Sequence, residues 1–432
     1  MSGFAHLKRL SSVKSNAGVQ FLTPAAFPGN HCPMHTALAL SAKVKGMSTL
    51  VVGTPECGTY SRNIIRRSRN KEGGLHWMYI LDAKEVVFGC REGLIQAIRE
   101  MDRAGAKAIM VILTCVPEVI GEDAEGIIHE LQPELEARLA YVTMGHFKCN
   151  SYPSGYWKTL ATFTAFMEPA EAPSPDTVNV LGRSPGEEHI PMPALLQSLE
   201  KRGFRLRFLA PGTDFEEFQK APDARLNLVL SPFMNRLAEE MQRTLGIPYV
   251  SLHEIYAPND IDDLYQSVAD TLEISWGGEL MEEREQALLH EQQIRELLEG
   301  ASCILGHIGA MMPLPLALYL HRLGLKPLLL HMEEFFPDDR KWAKKLAAEG
   351  LNPLICHMVN EPADILALQE LRPDFFFGKP MKPGNGVPGL VHMFDLYGRA
   401  GYERTALLLR RMQEAVEHHR ASEEGRRQHG AV

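Results

Sequence analysis

The chain has 432 residues, a net charge of −9, and a composition that is 45% hydrophobic and 23% charged. At roughly 150 residues per domain this is about three domains or two large ones, long enough to bury a core without disulfides, so wholesale disorder and fibrous repeats are excluded. The excess of acid over base disfavours a phosphate-backbone binder, and no apolar run reaches the ~20 residues of a bilayer span, so neither nucleic acid nor a membrane is an expected partner.

The N-terminus, Met1 to Arg9, lacks the uninterrupted apolar stretch of a secretory signal, which predicts a chain that stays in a reducing cytoplasm. The seven cysteines are therefore read as thiols or metal ligands. In the first part of the chain, short β-rich runs alternate with helical stretches, the rhythm of βαβ units around a parallel sheet. Strands are predicted at Ser48–Gly53, Glu85–Gly89, Lys107–Leu113 and Leu139–Thr143, with helices at about 33–46, 91–104 and 118–133. A Pro-rich linker follows at Glu168–Asp176.

A second unit opens at Thr177–Gly182 and continues with a helix at about 192–202, strands at Arg205–Ala210 and Leu226–Leu230, a helix at 233–245 and a strand at Gly246–Leu252. A long polar helical region, 259–300, leads to a third unit. There the predicted strands are Ser302–Gly306, Lys326–His331, Pro353–His357 and Asp374–Gly378, with helices at 313–323, 339–349 and 361–370. The expected fold class is α/β, with three Rossmann-like domains built on parallel sheets. They span 1–170, 171–300 and 301–416, followed by a charged flexible tail at 417–432 that lacks apolar periodicity.

In open α/β sheets function gathers at the carboxyl ends of strands, where loops and helix N-termini converge. Cys57 follows the strand ending at Gly53, Cys115 follows the strand ending at Leu113, and Cys32 stands just before a helix, where the dipole and free N–H groups would favour a thiolate. Cys90 also follows a predicted strand, and Cys149 sits in a loop. A single cysteine after a buried strand is usually a small core hydrophobe; three at neighbouring mouths weaken that reading. Thiolates select iron–sulfur clusters, zinc or cuprous copper, and no Cys-x-x-Cys pair of the zinc-ribbon kind is present.

The segments His31–Pro33, Val52–Arg62, Val87–Leu94 and Leu113–Asp123 resemble, in order and spacing, the cluster-binding motifs of the nitrogenase component 1 family. That family includes molybdenum–iron protein subunits, cofactor-assembly scaffolds, light-independent protochlorophyllide reductases, nickel-sirohydrochlorin cyclase and methylthio-alkane reductase. The three-layer organisation resembles the family over nearly the whole chain, and the run at 114–123 is the most specific motif. By this resemblance Cys32, Cys57 and Cys115 are expected to ligate an iron–sulfur cluster, either [4Fe-4S] or half of an eight-iron cluster at a subunit interface. Cys149 and Ser151 stand as candidates for a fourth ligand or its neighbour, because Phe147–Gly155 is similar to a segment that flanks the cluster. Cys90 occupies a place where relatives usually have glycine.

The chain also departs from the family pattern. Catalytic nitrogenase subunits hold their active cofactor with a cysteine in the second domain and a histidine near the C-terminus. Here Leu230 or Ser231 stands where that cysteine would be, and His392 lies in the histidine-bearing segment. One histidine alone cannot anchor such a cofactor, so dinitrogen reduction by this subunit is disfavoured. His189, His307, His331 and His357 lie at other strand ends, where a hydrogen-bonded loop histidine is the plainer reading. The loop Lys379–Gly389 is a turn, or a basic lid over a carboxylated substrate such as a tetrapyrrole.

The resemblance implies a nitrogenase-like oxidoreductase component that takes electrons from an ATP-hydrolysing iron protein and passes them to a reduction site holding a second metallocofactor or an organic substrate. The chain has no Gly-x-x-x-x-Gly-Lys-Ser/Thr loop of its own, which fits ATP hydrolysis in a separate component. A homologous or identical second subunit is implied, as a homodimer or an α2β2-type assembly. A non-catalytic scaffold for metallocofactor assembly, and a cluster-free Rossmann-array enzyme, are the competing readings.

Overall fold

The computed structural model describes residues 7–15, 32–67, 73–145, 152–172, 174–183, 190–308, 311–356, 361–379 and 386–429. The strands in chain order are β1 (Lys8–Arg9), β2 (Met47–Gly53), β3 (His76–Ile80), β4 (Ala108–Leu113), β5 (Arg138–Thr143), β6 (Thr177–Leu181), β7 (Arg205–Leu209), β8 (Leu226–Val229), β9 (Tyr249–Ser251), β10 (Ser302–Leu305), β11 (Lys326–His331), β12 (Leu354–Cys356), β13 (Phe375–Phe377) and β14 (Gly389–Leu390). They form three sheets, ordered β3-β2-β4-β5, β7-β6-β8-β9 and β1-β12-β11-β10-β13-β14, and every pairing is parallel except that of β1 with β12. Parallel strands covered on both faces read as continuous apolar runs. Accordingly every residue of β2, β4, β6 and β8 is buried.

All three sheets obey one topological rule. The first long strand lies in the middle, the chain winds outward to one side, and it then returns to the other side of that strand. Each sheet therefore has a switch point at the carboxyl ends of two neighbouring strands: β2 and β4, β6 and β8, β10 and β13. Loops diverge there and leave a crevice, which is where open α/β sheets bind their ligands.

The chain divides into two compact units. One comprises Gly29–Glu188 with Arg202–Ser251 and contains the first two sheets; the other comprises Met1–Pro28, His189–Lys201 and Leu252–Val432 and contains the third. The sequence-based boundaries at 170/171 and 300/301 do not coincide with a division between these units. In the first unit one core cluster runs from Met34, Leu38 and Val51 to Phe163, Phe218 and Leu237. A second cluster covers the opposite face of the first sheet, with Leu50, Val52, Leu94, Ile98 and Val111. The third sheet has its own core, including Leu305, Leu316, Leu330, Phe375 and Leu408.

Three expectations are corrected. The apolar run at Glu85–Gly89 is not a strand; Glu85–Phe88 is a helical turn, and the strand beside β2 is β3. The cause is a reciprocal cap in which Asp82 Oδ1 accepts the Glu85 N–H at 2.8 Å while Glu85 Oε2 accepts the Asp82 N–H at 2.9 Å. That capping box fixes a helix start that outweighs the β propensity of two valines and a phenylalanine. The region 259–300 is two helices, Pro258–Leu272 and Met281–Leu298, broken at Glu273, whose φ of 56° is left-handed. The tail is helical, since the last helix runs Gly401–His429. Its inner face ends with Leu408, Leu409, Met412 and Val416 in the core, and the polar turns beyond are supported by pairs one turn apart, Gln413 with Glu417 and His419 with Glu423.

Among the described residues no helix is long and apolar enough to cross a membrane. Stability should reside in the inner face of the last helix and not in its polar end. Met412→Ala is expected to cost ~2–4 kcal/mol in urea unfolding. Removal of the residues after His419 should cost less than about 0.5 kcal/mol.

Candidate functional site

The switch point of the first sheet brings the thiols together. Val52 of β2 lies beside Leu113 of β4, and the next residues lock the two strand ends. The Thr114 N–H and hydroxyl both donate to the Val52 carbonyl, at 3.1 and 2.8 Å. Gly53 is the other half of this contact. A Cβ there would overlap the Thr114 hydroxyl and stand 3.1 Å from Cys57 Sγ, so only glycine lets the two loops close.

From this lock two helices leave immediately. Pro55–Arg67 carries Cys57 in its first turn, and Cys115–Ile120 begins on Cys115 itself. Cys57 is thus a helical residue and not a loop residue; its sulfur lies 3.7 Å from the Thr54 hydroxyl. Cys32 is the residue before the helix Pro33–Ser41, which packs against the Cys57 helix. There Ser61 Oγ donates to the Cys57 carbonyl at 2.7 Å and lies 3.5 Å from Met34 Sδ, while the rings of His35 and Tyr60 meet edge to face at 5.3 Å. None of the three cysteines is in a disulfide, and all are partly buried.

The electrostatics differ from the expectation for a cysteine at a helix N-terminus. The Cys32 thiol is pushed above its ordinary value, first by burial and further by the proximity of Cys115 and Cys57. The N–H groups of Met34 and His35 oppose this but do not win. Three ionised sulfurs would repel one another in this mouth, so as thiolates they call for a cationic partner. Among the described residues no three His, Cys, Asp or Glu side chains converge as they would around a single metal ion. The donor set is sulfur-only, the ligand chemistry that iron–sulfur centres take.

Cys90 is placed differently. It is 1% exposed and belongs to the core cluster on the other face of the sheet. Its N–H donates to Glu122 Oε2 at 2.6 Å, and burial together with Glu122 pushes its thiol far up. Cys149 and Ser151 lie outside the described residues; Tyr152–Gly155 form the first turn of the helix Tyr152–Thr162. Cys303 and Cys356 are buried core thiols. Sequence reasoning missed the apolar rim of this mouth, where Val87 is 69%, Phe88 85% and Val119 64% exposed. For Val87 and Phe88 the signal was the capping box at Asp82–Glu85, which puts them on a helical turn instead of a strand.

The other two switch points carry other chemistry. At the second, Ser231 is buried and Gly182, with φ of 98°, lies so close that a Cβ there would stand 2.5 Å from the Ser231 Cβ. At the third, His307 follows β10 and forms an isolated bridge with Lys379, which follows β13. His307 Nδ1 is 3.4 Å from Glu333 Oε1, and its ring is 5.7 Å from that of His331. Burial, then Lys379, pulls the His307 pKa down, while burial, then Glu334, pushes that of Glu333 up. Beside them a cavity of about 100 Å³, lined in part by His307, Lys379 and Phe394, has room for a few waters. His392 is exposed and stacks on Phe394 at 6.3 Å. His189, His357 and residues 380–385 lie outside the described residues.

The sequence profile of the nitrogenase component 1 type oxidoreductases matches residues 32–417. The chain belongs to that family. It is 25% identical over 284 residues to the nitrogenase iron-molybdenum cofactor biosynthesis protein NifE of Clostridium pasteurianum, covering 62% of this chain and 60% of that protein. It is 22% identical over 419 residues to the nitrogenase molybdenum-iron protein beta chain of Methanothermobacter thermautotrophicus, covering 86% and 88% of the two. The fold matches that of nitrogenase Cp1 at pH 6.5 with a TM-score of 0.67 and 15% identity, over 92% of this chain and 95% of that one.

The Gly53 contact yields a test that needs no ligand. Gly53→Ala is expected to cost ~1–3 kcal/mol by overpacking and to raise the reaction rate of Cys57 with a thiol reagent, measured by mass spectrometry. Unchanged stability and labelling would show that the two loops do not touch.

Proposed function

We propose that this chain is the electron-relaying subunit of a nitrogenase-like two-component reductase, in which Cys32, Cys57 and Cys115 hold one side of an iron–sulfur cluster. The observation that carries this reading is that Cys57 and Cys115 stand on the two helices leaving one switch point, with Cys32 at the start of the adjoining helix feeling the charges of both. When bound, the cluster supplies one-electron storage between a low-potential donor and the acceptor. The protein's part is to position and shield. The Gly53–Thr114 lock sets two of the sulfurs, the Ser61 contacts set the helix that bears the third, and the partly apolar walls limit access of water. Cys149 or Ser151 of this chain, or thiolates of a homologous or identical subunit, would complete the ligand set.

The exposed side chains Val87 and Phe88, on a helical turn packed against the helix that bears Cys115 and the exposed Val119, would supply an apolar face for the electron donor, an ATP-hydrolysing iron protein. Within the third sheet, the His307–Glu333 pair is a candidate for proton handling. A scaffold for metallocofactor assembly is the second reading, favoured by the likeness to NifE. Leu230 and Ser231 offer no thiolate for a soft cargo, which favours the relay.

Anaerobically purified protein should contain iron and acid-labile sulfide, and Cys57→Ala and Cys115→Ala should each lose more than half of both, while Cys303→Ala keeps them. A colourless protein after reconstitution, or unchanged iron in Cys57→Ala, overturns the ligand assignment. Phe88→Asp is expected to retain its iron yet slow donor-driven reduction by roughly tenfold or more, as loss of a buried aromatic anchor does. Substrate turnover by the donor-coupled complex would separate the relay from the scaffold.

A further inference from the structure

A groove remote in sequence from the cysteines lies in the unit of the third sheet, between the turn Leu10–Ser12 and the helix Asp339–Ala348. It encloses about 620 Å³, within the size range of small-molecule sites. Its walls are fixed in advance. β1 pairs with β12, the Leu10 N–H donates to the Pro353 carbonyl at 2.9 Å, the Ser11 N–H donates to Asn352 Oδ1 at 2.9 Å, and Asn352 Nδ2 donates back to Ser11 Oγ at 3.0 Å. Leu10, Val13, Phe335 and Leu351 make the lining apolar.

The charges at its rim are the unusual feature. Arg340, Ala343, Lys344 and Ala347 follow one another at helical spacing, so two cations one turn apart share the groove face with two small residues that leave room between them. Like charges at that spacing destabilise a helix. Lys14 adds a third cation from the opposite wall, and no carboxylate lines the groove. Among the described residues none of these three side chains has an ion pair or hydrogen bond. The neighbouring Lys341 and Lys345 are engaged instead: Lys341 pairs with Glu254 at 2.6 Å, and the two ammonium groups lie 5.5 and 4.4 Å from the Trp342 ring centre. In a chain of net charge −9, three unengaged cations around an apolar hollow break the local rule without a return inside the fold.

We propose that this groove binds an organic anion with an apolar body, such as a medium-chain carboxylate, its head among Lys14, Arg340 and Lys344 and its body against Leu10, Val13 and the two alanines. The complementarity is of charge at the rim and of apolar surface below it, and neither half alone accounts for both sets of residues. The assignment is independent of the cluster and of the relay.

The test is isothermal titration of the full chain with decanoate below its micelle concentration, with decanol and acetate as probes of body and head alone. Decanoate should bind one per chain, decanol and acetate roughly tenfold or more weaker, and added salt should weaken decanoate selectively. The surface variant Arg340→Gln/Lys344→Gln should lose decanoate binding at least tenfold while its melting temperature stays or rises, because the repulsion is relieved. Ala347→Trp should fill the groove and abolish binding. Equal affinity for decanol, undiminished binding in the double glutamine variant, or no binding by the unmodified chain overturns the proposal.

Discussion

The contact of Gly53 with Thr114 is the constraint from which the thiol mouth follows. Parallel neighbours β2 and β4 end at the same height, and the two loops leaving them must part in opposite directions. They can begin almost in contact only because one loop has no side chain at its first step and the other turns its hydroxyl back onto the Val52 carbonyl. Each loop then enters a helix at once, which fixes Cys57 and Cys115 on the first turns of those helices. Two sulfurs far apart in sequence are thereby positioned by rigid backbone.

That precision has an electrostatic cost. The helix N-termini offer N–H groups to the sulfurs, yet at Cys32 burial and the two neighbouring thiols outweigh them. A mouth whose donors are sulfur, and where the Cys32 thiol is pushed up, is matched by a centre that brings its own positive charge, since a metal displaces thiol protons and cancels mutual repulsion. The same reasoning explains why Cys90 is unsuited to ligation as it stands. Its neighbour is the Glu122 carboxylate, whose charge opposes a second anion at the same place.

Much of this was legible in the sequence because buried parallel strands leave an unambiguous trace. The runs at β2, β4, β6 and β10 are short, apolar and closed by glycine or threonine, and they were found within a residue or two. β3 was not found, since an edge strand exposed along one side carries the mixed pattern His-Trp-Met-Tyr-Ile, which has no clean period. The valines of Glu85–Phe88 looked like a strand until the reciprocal cap of Asp82 and Glu85 was weighed, a local signal that was present but unread. The last helix, Gly401–His429, was not predicted; its outer turns have no apolar face to detect, and they persist by continuing an element whose inner face is buried. That Cys57 and Cys115 follow neighbouring strands was legible from the strand ends. The placement of Cys90 was not, because it follows a helical turn and not a strand, and it packs into the core on the other face of the first sheet.

The three switch points share a topology and differ in their donors, and this difference bears on how labour is divided along the chain. The first presents thiols, the second a hydroxyl closed in by Gly182, and the third an imidazole, a carboxylate and an ammonium group. Soft ligands suit electron storage in iron and sulfur, whereas His307 and Glu333, displaced toward each other in pKa by burial and by charged neighbours, suit the handling of protons. The described thiols of the third sheet, Cys303 and Cys356, are enclosed in its cores and unavailable to a metal. The shared strand order therefore fixes where side chains gather, and the residue types that follow each strand fix which chemistry gathers there.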